Sequence, residues 1–218
     1  MSSRLKVAVL ISGRGTNLQA LIDACAEPDF PAEIIRVISN VSGAFGLERA
    51  DKAGIPTKVI DHKSYDDRAS FEAEITRELN ACGTDLICLA GFMRLVTAEF
   101  VENWRDRLIN IHPSLLPSFK GLDTHQRALE AGVKITGCTV HFVRADMDAG
   151  PIIAQAAVPV LPEDDQDSLA DRILEQEHVI FPLALRLIAE GRVKVESEKV
   201  LIDGDVVAPP ALVFPALS

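Results

Sequence analysis

The segment Asn110–Pro117 (Asn-Ile-His-Pro-Ser-Leu-Leu-Pro) carries an amide and an imidazole two residues apart. The apolar run 107–111 predicts a short buried strand that Pro113 ends. Because alternate residues of a strand point to the same face, Asn110 and His112 would lie side by side. A neutral donor next to a titratable ring can hold a carbonyl oxygen and manage a proton. An ordinary strand end with a half-buried histidine remains the alternative.

The loop at residues 12–17 (Ser-Gly-Arg-Gly-Thr-Asn) is a candidate phosphate site. It lies between a predicted strand and a predicted helix, where backbone N–H groups can bind an anion. Leu18 replaces the third glycine of the dinucleotide fingerprint and no Gly-Lys-Ser/Thr follows, so a monophosphate is favoured over NAD. Thr16 and Asn17 add side-chain donors, whereas Arg14 either adds charge or points to solvent. A plain strand-to-helix turn stays an alternative.

Three carboxylates are candidates for a role in chemistry. Asp146 and Asp148 lie in the turn-rich segment 143–151, where either would by default be a turn or cap residue, and the residue types do not choose between them. Glu177 lies on the apolar stripe of a predicted helix, where an isolated charge is expensive. It could pair with an arginine or bind a ligand.

Apolar runs and helical stripes alternate along the chain, which predicts an α/β fold with a doubly wound, mostly parallel sheet. The predicted strands 136–143, alternating between faces, and 151–161 would form a mixed or antiparallel edge. The other predicted strands are 6–11, 34–39, 57–60, 85–90 and 107–111, and the predicted helices are 18–25, 45–52, 65–80, 125–131 and 168–190. Pro182 should kink the last helix. We predict a terminal hairpin that turns at Asp203–Asp205.

The composition of the 218-residue chain bounds its class. With 48% apolar and 25% charged residues it is typical of a globular protein, and the net charge of −10 disfavours a nucleic-acid surface. The four scattered cysteines predict reduced thiols in a cytoplasmic protein, and no apolar run reaches membrane-spanning length. The five histidines lack metal-ligand spacing, so we expect no metal. Both a monomer and a homodimer remain open.

The Asn110–Pro117 segment followed by Gly121 resembles the signature of the folate-dependent formyltransferases. The loop Ser12–Leu18 narrows the resemblance to the phosphoribosylglycinamide formyltransferases, over about Val7 to Pro182. The resemblance implies a Rossmann-like single domain, with a phosphate-binding half at 1–100 and a folate and catalytic half at 101–218. It also implies formyl transfer from 10-formyltetrahydrofolate, the co-substrate, to the amine of glycinamide ribonucleotide.

The same resemblance implies a role for each site residue. Asn110, His112 and Asp148 would be catalytic, with Asp148 orienting His112 and stabilising its imidazolium form. Gly15, Thr16 and Asn17 would bind the substrate phosphate, and Glu177 the substrate amine. The implied folate-binding residues are Arg68, Met93, Arg94, Leu95, Val96, Val143, Arg144, Asp146 and Met147. From its spacing alone, Arg68 is expected to snorkel over the stripe of its helix.

Two other functions remain as alternatives. A formyltetrahydrofolate hydrolase would transfer the formyl group to water, but is expected to have an N-terminal regulatory domain and to lack the loop at 12–17. A non-catalytic nucleotide- or phosphate-binding module would bind ligand whether or not His112 is present. In the predicted reaction the amine attacks the formyl carbon while Asn110 and His112 donate to the oxygen that becomes negative.

Overall fold

The computed structural model describes residues 4–205, 207 and 210–215 of the chain. Strands and helices alternate along most of it, as the hydrophobic pattern predicts. The strands are β1 (Leu5–Ile11), β2 (Ala32–Ser39), β3 (Thr57–Val59), β4 (Leu86–Leu89), β5 (Leu108–His112), β6 (Ile135–Phe142), β7 (Ile152–Pro159), β8 (Val193–Glu196) and β9 (Lys199–Ile202). The helices are α1 (Thr16–Ala26), α2 (Phe45–Lys52), α3 (Arg68–Ala81), α4 (Ala98–Asn103), α5 (Thr124–Glu130) and α6 (Gln166–Ala189).

Seven of these strands form one sheet in the order β3-β2-β1-β4-β5-β6-β7. β1 pairs in parallel with β2 and β4, and the pairs β2–β3 and β4–β5 are also parallel. β6 and β7 pair antiparallel at one edge. The sheet confirms the predicted doubly wound α/β fold with a mixed edge.

The chain divides into two compact units, Met1–Asn110 with Phe142–Ala145, and Ile111–His141 with Asp146–Ser218. In the first unit β1 is the central strand, and its residues Val7–Ile11 are fully buried because neighbours cover both faces. Helix α1 buries the predicted stripe of Leu18, Leu21, Ile22 and Cys25. The first unit therefore has a continuous core beneath the loops that follow its strands.

In the second unit the long helix α6 begins at a capping box. The Asp165 side chain accepts a hydrogen bond from the Ser168 N–H, and Ser168 Oγ in turn accepts from the Asp165 N–H. Asp164 binds Arg172 with two bonds of 2.6 and 2.8 Å. These bonds fix the start of the helix that carries Glu177.

Three details of the predicted strands and helices were wrong. Strand β6 does not alternate between a buried and an exposed face as the sequence predicted, because all its residues except Ile135 are buried. Helix α3 begins at Arg68 rather than residue 65, because the Asp67 side chain caps it by accepting from Ser70 N–H. The terminal hairpin of β8 and β9 turns at Ser197 and Glu198, both with positive φ, and not at 203–205.

The four cysteines are free, and three of them are buried: Cys25, Cys88 and Cys138. Burial raises the pKa of the Cys25 thiol to about 11. Across the described part of the chain, none of the helices combines the length and the apolar character that crossing a bilayer requires.

Candidate active site

Strand β5 carries Asn110 and His112 to its carboxyl end, directly before Pro113. Its burial is as predicted: His112 is 6% exposed and Asn110 is half-buried. Since alternate residues of a strand share a face, the amide and the imidazole emerge on one side of β5. The aliphatic residues between and before them fix the strand in the core.

Both ring nitrogens of His112 face acceptors. Nε2 lies 3.1 Å from the carbonyl oxygen of Phe119, and Nδ1 lies 3.5 Å from Oδ2 of Asp148. A carbonyl oxygen can only accept, so Nε2 carries the proton in that bond. Nδ1 then faces the Asp148 carboxylate, so the two contacts together fix the orientation of the ring.

Asp148, and not the exposed Asp146, is the aspartate that contacts His112. Asp148 has φ +49°, an uncommon conformation for a non-glycine residue, and its side chain is only 12% exposed. Its Oδ2 accepts a hydrogen bond of 2.8 Å from the Gly121 N–H. The turn that follows β5 therefore holds the carboxylate against His112.

Two further histidines lie near this pair, His141 and His125, for which the sequence favoured structural or peripheral roles. Nε2 of His141, which is 2% exposed, lies 3.8 Å from Oδ1 of Asp148. The pKa of His125 is lowered, first by burial and second by the charge of His112. The available signal for His141 was its position at the end of a strand in the same sheet as His112.

The turn after β5 is held by the buried hydroxyl of Thr139, a residue that the sequence did not single out. Its Oγ1 donates to the Ser114 carbonyl at 2.7 Å and accepts from Leu116 N–H at 3.1 Å. Gln155 Nε2 donates both to that hydroxyl and to the Leu116 carbonyl, each at 3.0 Å. The Leu116–Pro117 peptide is cis. The turn that presents Phe119 and Gly121 is thus hydrogen-bonded to β6 and β7.

The glycine loop is shaped by backbone packing. Gly15 precedes α1 with φ +70°, and a Cβ there would lie 2.6 Å from Cα of Gly46. Gly46 N–H donates to the Gly13 carbonyl at 3.0 Å, and Arg49 Nε donates to the Arg14 carbonyl at 3.0 Å. Neither Gly46 nor Arg49 was predicted to shape this loop, although a glycine in the first turn of a helix was a usable signal.

The residues predicted to bind the phosphate lie at the start of α1. Thr16 is its first residue and Asn17 is 9% exposed. The first N–H groups of a helix lack partners within the helix, so this terminus can bind an anion. Arg14 is exposed.

The predicted folate residues divide into two groups. Val96 and Val143 pack against one apolar cluster of the first unit, which includes Phe71 and Trp104. The exposed group consists of Arg68, Met93, Arg94, Leu95, Asp146 and Met147. Arg144 differs from both, because its guanidinium binds Asp106 at 2.7 Å and the Val143 carbonyl at 3.0 Å.

Glu177 lies inside the second unit and is 7% exposed. Its charge acts on Cys138 in β6, where burial first and the Glu177 carboxylate second raise the pKa of the thiol to about 12. Among the described residues no group of three or more His, Cys, Asp or Glu side chains is arranged to hold a metal ion.

The formyl transferase family model matches residues 5–185. The chain is also similar to phosphoribosylglycinamide formyltransferase of Escherichia coli (strain K12), with 43% identity over 94% of this chain and 97% of that protein. The chain belongs to the phosphoribosylglycinamide formyltransferase family.

Other family members have similar sequences and structures. The crystal structure of glycinamide ribonucleotide transformylase 1 from Symbiobacterium toebii superimposes with a TM-score of 0.90 at 50% identity, covering 93% of this chain and 95% of that one. The trifunctional purine biosynthetic protein adenosine-3 of Gallus gallus is 54% identical over 89% of this chain. This formyltransferase chain spans about a fifth (19%) of that longer protein.

Proposed function

We propose that this formyltransferase transfers the formyl group of 10-formyltetrahydrofolate to the amine of glycinamide ribonucleotide, a step of de novo purine biosynthesis. The observation that carries the proposal is the buried His112–Asp148 pair at the end of β5, with 3.5 Å between Nδ1 and Oδ2. The relatives that match this chain over nearly their whole length are named as formyltransferases or transformylases, which is the same class of reaction. The glycine loop before α1 supplies backbone donors that suit a phosphomonoester.

In the proposed reaction the neutral amine attacks the formyl carbon, and negative charge develops on the formyl oxygen. That oxygen takes the place of the Phe119 carbonyl as acceptor of the Nε2–H of His112. Asn110 donates from the same face of β5. The new N–C bond forms, the bond from the formyl carbon to the folate nitrogen breaks, and the amine proton ends on that nitrogen. Asp148 stabilises the imidazolium while this proton moves.

The ligand-binding roles remain part of the proposal. The phosphate would bind at Gly15, Thr16 and Asn17, and the substrate amine at Glu177, whose burial favours an ionic or hydrogen-bonded partner. The folate would contact Arg68, Met93–Val96, Val143, Arg144, Asp146 and Met147. Arg144 would contribute through its backbone or aliphatic stem, because Asp106 binds its guanidinium.

We further propose that residues 1–100 serve as the phosphate-binding half and residues 101–218 as the folate and catalytic half of one formyltransferase domain. The partners would be the two small-molecule substrates, with the chain acting as a monomer or a homodimer. Four unbridged cysteines support a cytoplasmic location.

The test is a formyl-transfer assay with purified protein and 10-formyltetrahydrofolate, run with and without glycinamide ribonucleotide. We expect tetrahydrofolate to form only when the ribonucleotide is present, in equal amounts with the formylated ribonucleotide. Equal tetrahydrofolate formation without the ribonucleotide would mean transfer to water, as in the hydrolase alternative. Binding of both ligands without any product would favour a non-catalytic module.

A further inference from the structure

Ser12 joins the glycine loop to a second loop of the same unit. It follows β1 directly and precedes Gly13. Its N–H donates to the Gly91 carbonyl at 3.1 Å, and its hydroxyl oxygen accepts from the Met93 N–H at 2.8 Å. Gly91 and Met93 begin the segment that follows β4. The backbone and the side chain of one serine therefore hold the start of that segment.

The hydroxyl proton of Ser12 has its own acceptor. It is donated to Oδ1 of Asn40 at 2.6 Å, and Asn40 is only 3% exposed. The amide nitrogen of Asn40 lies 3.2 Å from Nδ1 of His62. With its proton given to Asn40, the Ser12 oxygen presents a lone pair to the Met93 N–H. The ends of β1, β2 and β4 are thereby joined through one hydroxyl.

The segment 91–97 is also held at its other end. Glu72 of α3 is 4% exposed and accepts from the Thr97 N–H at 2.8 Å and from the Thr97 hydroxyl. Between the two attachments Met93 and Leu95 are 69% and 57% exposed. Side chains on a backbone fixed at both ends are available to a ligand at low cost in conformational entropy.

We propose that the Ser12 hydroxyl is a positioning group that couples ligand binding at the glycine loop to ligand binding at segment 91–97. The inference rests on the proposed function, in which these regions bind the ribonucleotide phosphate and the folate. A phosphate bound after Gly13 restrains the peptide that begins at Ser12. Through the Met93 bond the same restraint acts on the segment that receives the folate. Coupling is reciprocal, so each ligand strengthens binding of the other by the same factor.

The first test measures this coupling by calorimetry with tetrahydrofolate and glycinamide ribonucleotide, a pair that has no formyl group to transfer. In the wild type we expect saturating ribonucleotide to lower the Kd for tetrahydrofolate about fivefold or more. In Ser12→Ala the factor should fall below about twofold while each ligand still binds alone. The control is Ser42→Ala, an exposed serine in the loop before α2, which should retain the wild-type coupling.

The second measurement follows amide hydrogen exchange at Met93. Ribonucleotide alone should slow this exchange in the wild type and in Ser42→Ala, and leave it unchanged in Ser12→Ala. A purely structural serine would alter the melting temperature without removing this response. Full coupling in Ser12→Ala, or none in a wild type that binds both ligands, would overturn the inference and leave the proposed function standing. A wild type that binds neither ligand would overturn both.

Discussion

The glycine loop before α1 and the turn after β5 are built in different ways. The loop is backbone packed on backbone: Gly15 lies against Gly46, and the Gly46 N–H reaches the Gly13 carbonyl. The turn is instead arranged around side chains, with Asp148 contacting His112 and accepting the Gly121 N–H. Backbone donors suit an anion whose charge does not change, whereas titratable side chains suit a reaction in which a proton moves.

This difference determines which substitutions should damage each region. Adding a methyl group at Gly15 should distort the loop, because the close approach of Gly15 to Gly46 leaves no space for a Cβ. Changing the charge or hydrogen bonding of a side chain in the turn should lower the reaction rate while the fold is retained. Equal responses of both regions to both kinds of change would contradict this difference in construction.

The largest effect is expected in the turn. His112→Ala and Asp148→Asn should each lower kcat by about 10²–10³, the usual loss when one group that stabilises a developing oxyanion is removed. Asparagine tolerates the positive φ at position 148 and can still accept from Gly121, so the melting temperature should change little. Steady-state kinetics beside thermal unfolding will separate the two effects. Asp171→Asn, on the exposed face of α6, is the matched control.

The next largest effect is expected in the loop, for Gly15→Ala. Its φ of +70° and the 2.6 Å approach to Cα of Gly46 should strain the loop by about 1–3 kcal/mol. We expect the Kd for glycinamide ribonucleotide to rise about tenfold. The Kd for tetrahydrofolate measured alone should stay near its wild-type value. Gly43→Ala, where a Cβ would meet nothing within 4 Å, should bind normally, and an equal defect in it would contradict this explanation.

A smaller effect, on stability alone, is expected away from both regions. Asp164→Asn removes charge-assisted bonds to Arg172 and should lower the free energy of unfolding by about 1–3 kcal/mol, with kcat unchanged. The bond with Arg172 holds the pKa of Asp164 below its usual 3.8. The stabilisation is therefore complete above pH 3.8 and lost as the pH falls through the folded pKa. Denaturant unfolding should show the gap between wild type and variant closing in acid; a gap independent of pH would contradict it.

The smallest effect is a shift in one titration. Burial first and the charge of His112 second lower the pKa of His125 below 6.5. The neutral ring is therefore favoured in the folded state, and its contribution to stability is full above pH 6.5 and lost as the pH falls through the folded pKa. In His112→Asn the pKa of His125, followed by NMR, should move up toward 6.5 without reaching it, because burial remains. An unchanged pKa of His125 would show that the charge of His112 does not affect it.

The sequence predicted what depends on local pattern. The continuous aliphatic run of β1 and the stripe of α1 located both elements, and helix α2 was predicted with its observed limits. Strand β6 was predicted to alternate because its threonines and histidine are polar. In the structure Thr136, Thr139 and His141 are buried, and the Thr139 hydroxyl is bonded within the protein. The presence of a polar residue in the sequence does not show whether its side chain will form a hydrogen bond inside the protein, which allows it to be buried.

What could not be predicted depends on contacts between distant parts of the chain. The residue types left Asp146 and Asp148 equal. The structure separates them, because Asp146 is exposed whereas Asp148 contacts His112 and the Gly121 N–H. The role of Gly46 was missed for the same reason, because it packs against Gly15, a residue far away in the sequence. The hairpin turn at Ser197–Glu198 lacks the glycine or asparagine that usually marks positive φ.

In the proposed mechanism Asp148 acts through His112, and a double-mutant cycle measures that dependence. Single-turnover formyl transfer would be measured for the wild type, His112→Ala, Asp148→Asn and the double variant. Residues that act as a unit are strongly non-additive. We predict that Asp148→Asn slows the reaction about 10²–10³-fold in the wild type and less than about twofold when His112 is already alanine. An equal loss in both backgrounds would show that Asp148 works independently of the histidine and would contradict the mechanism.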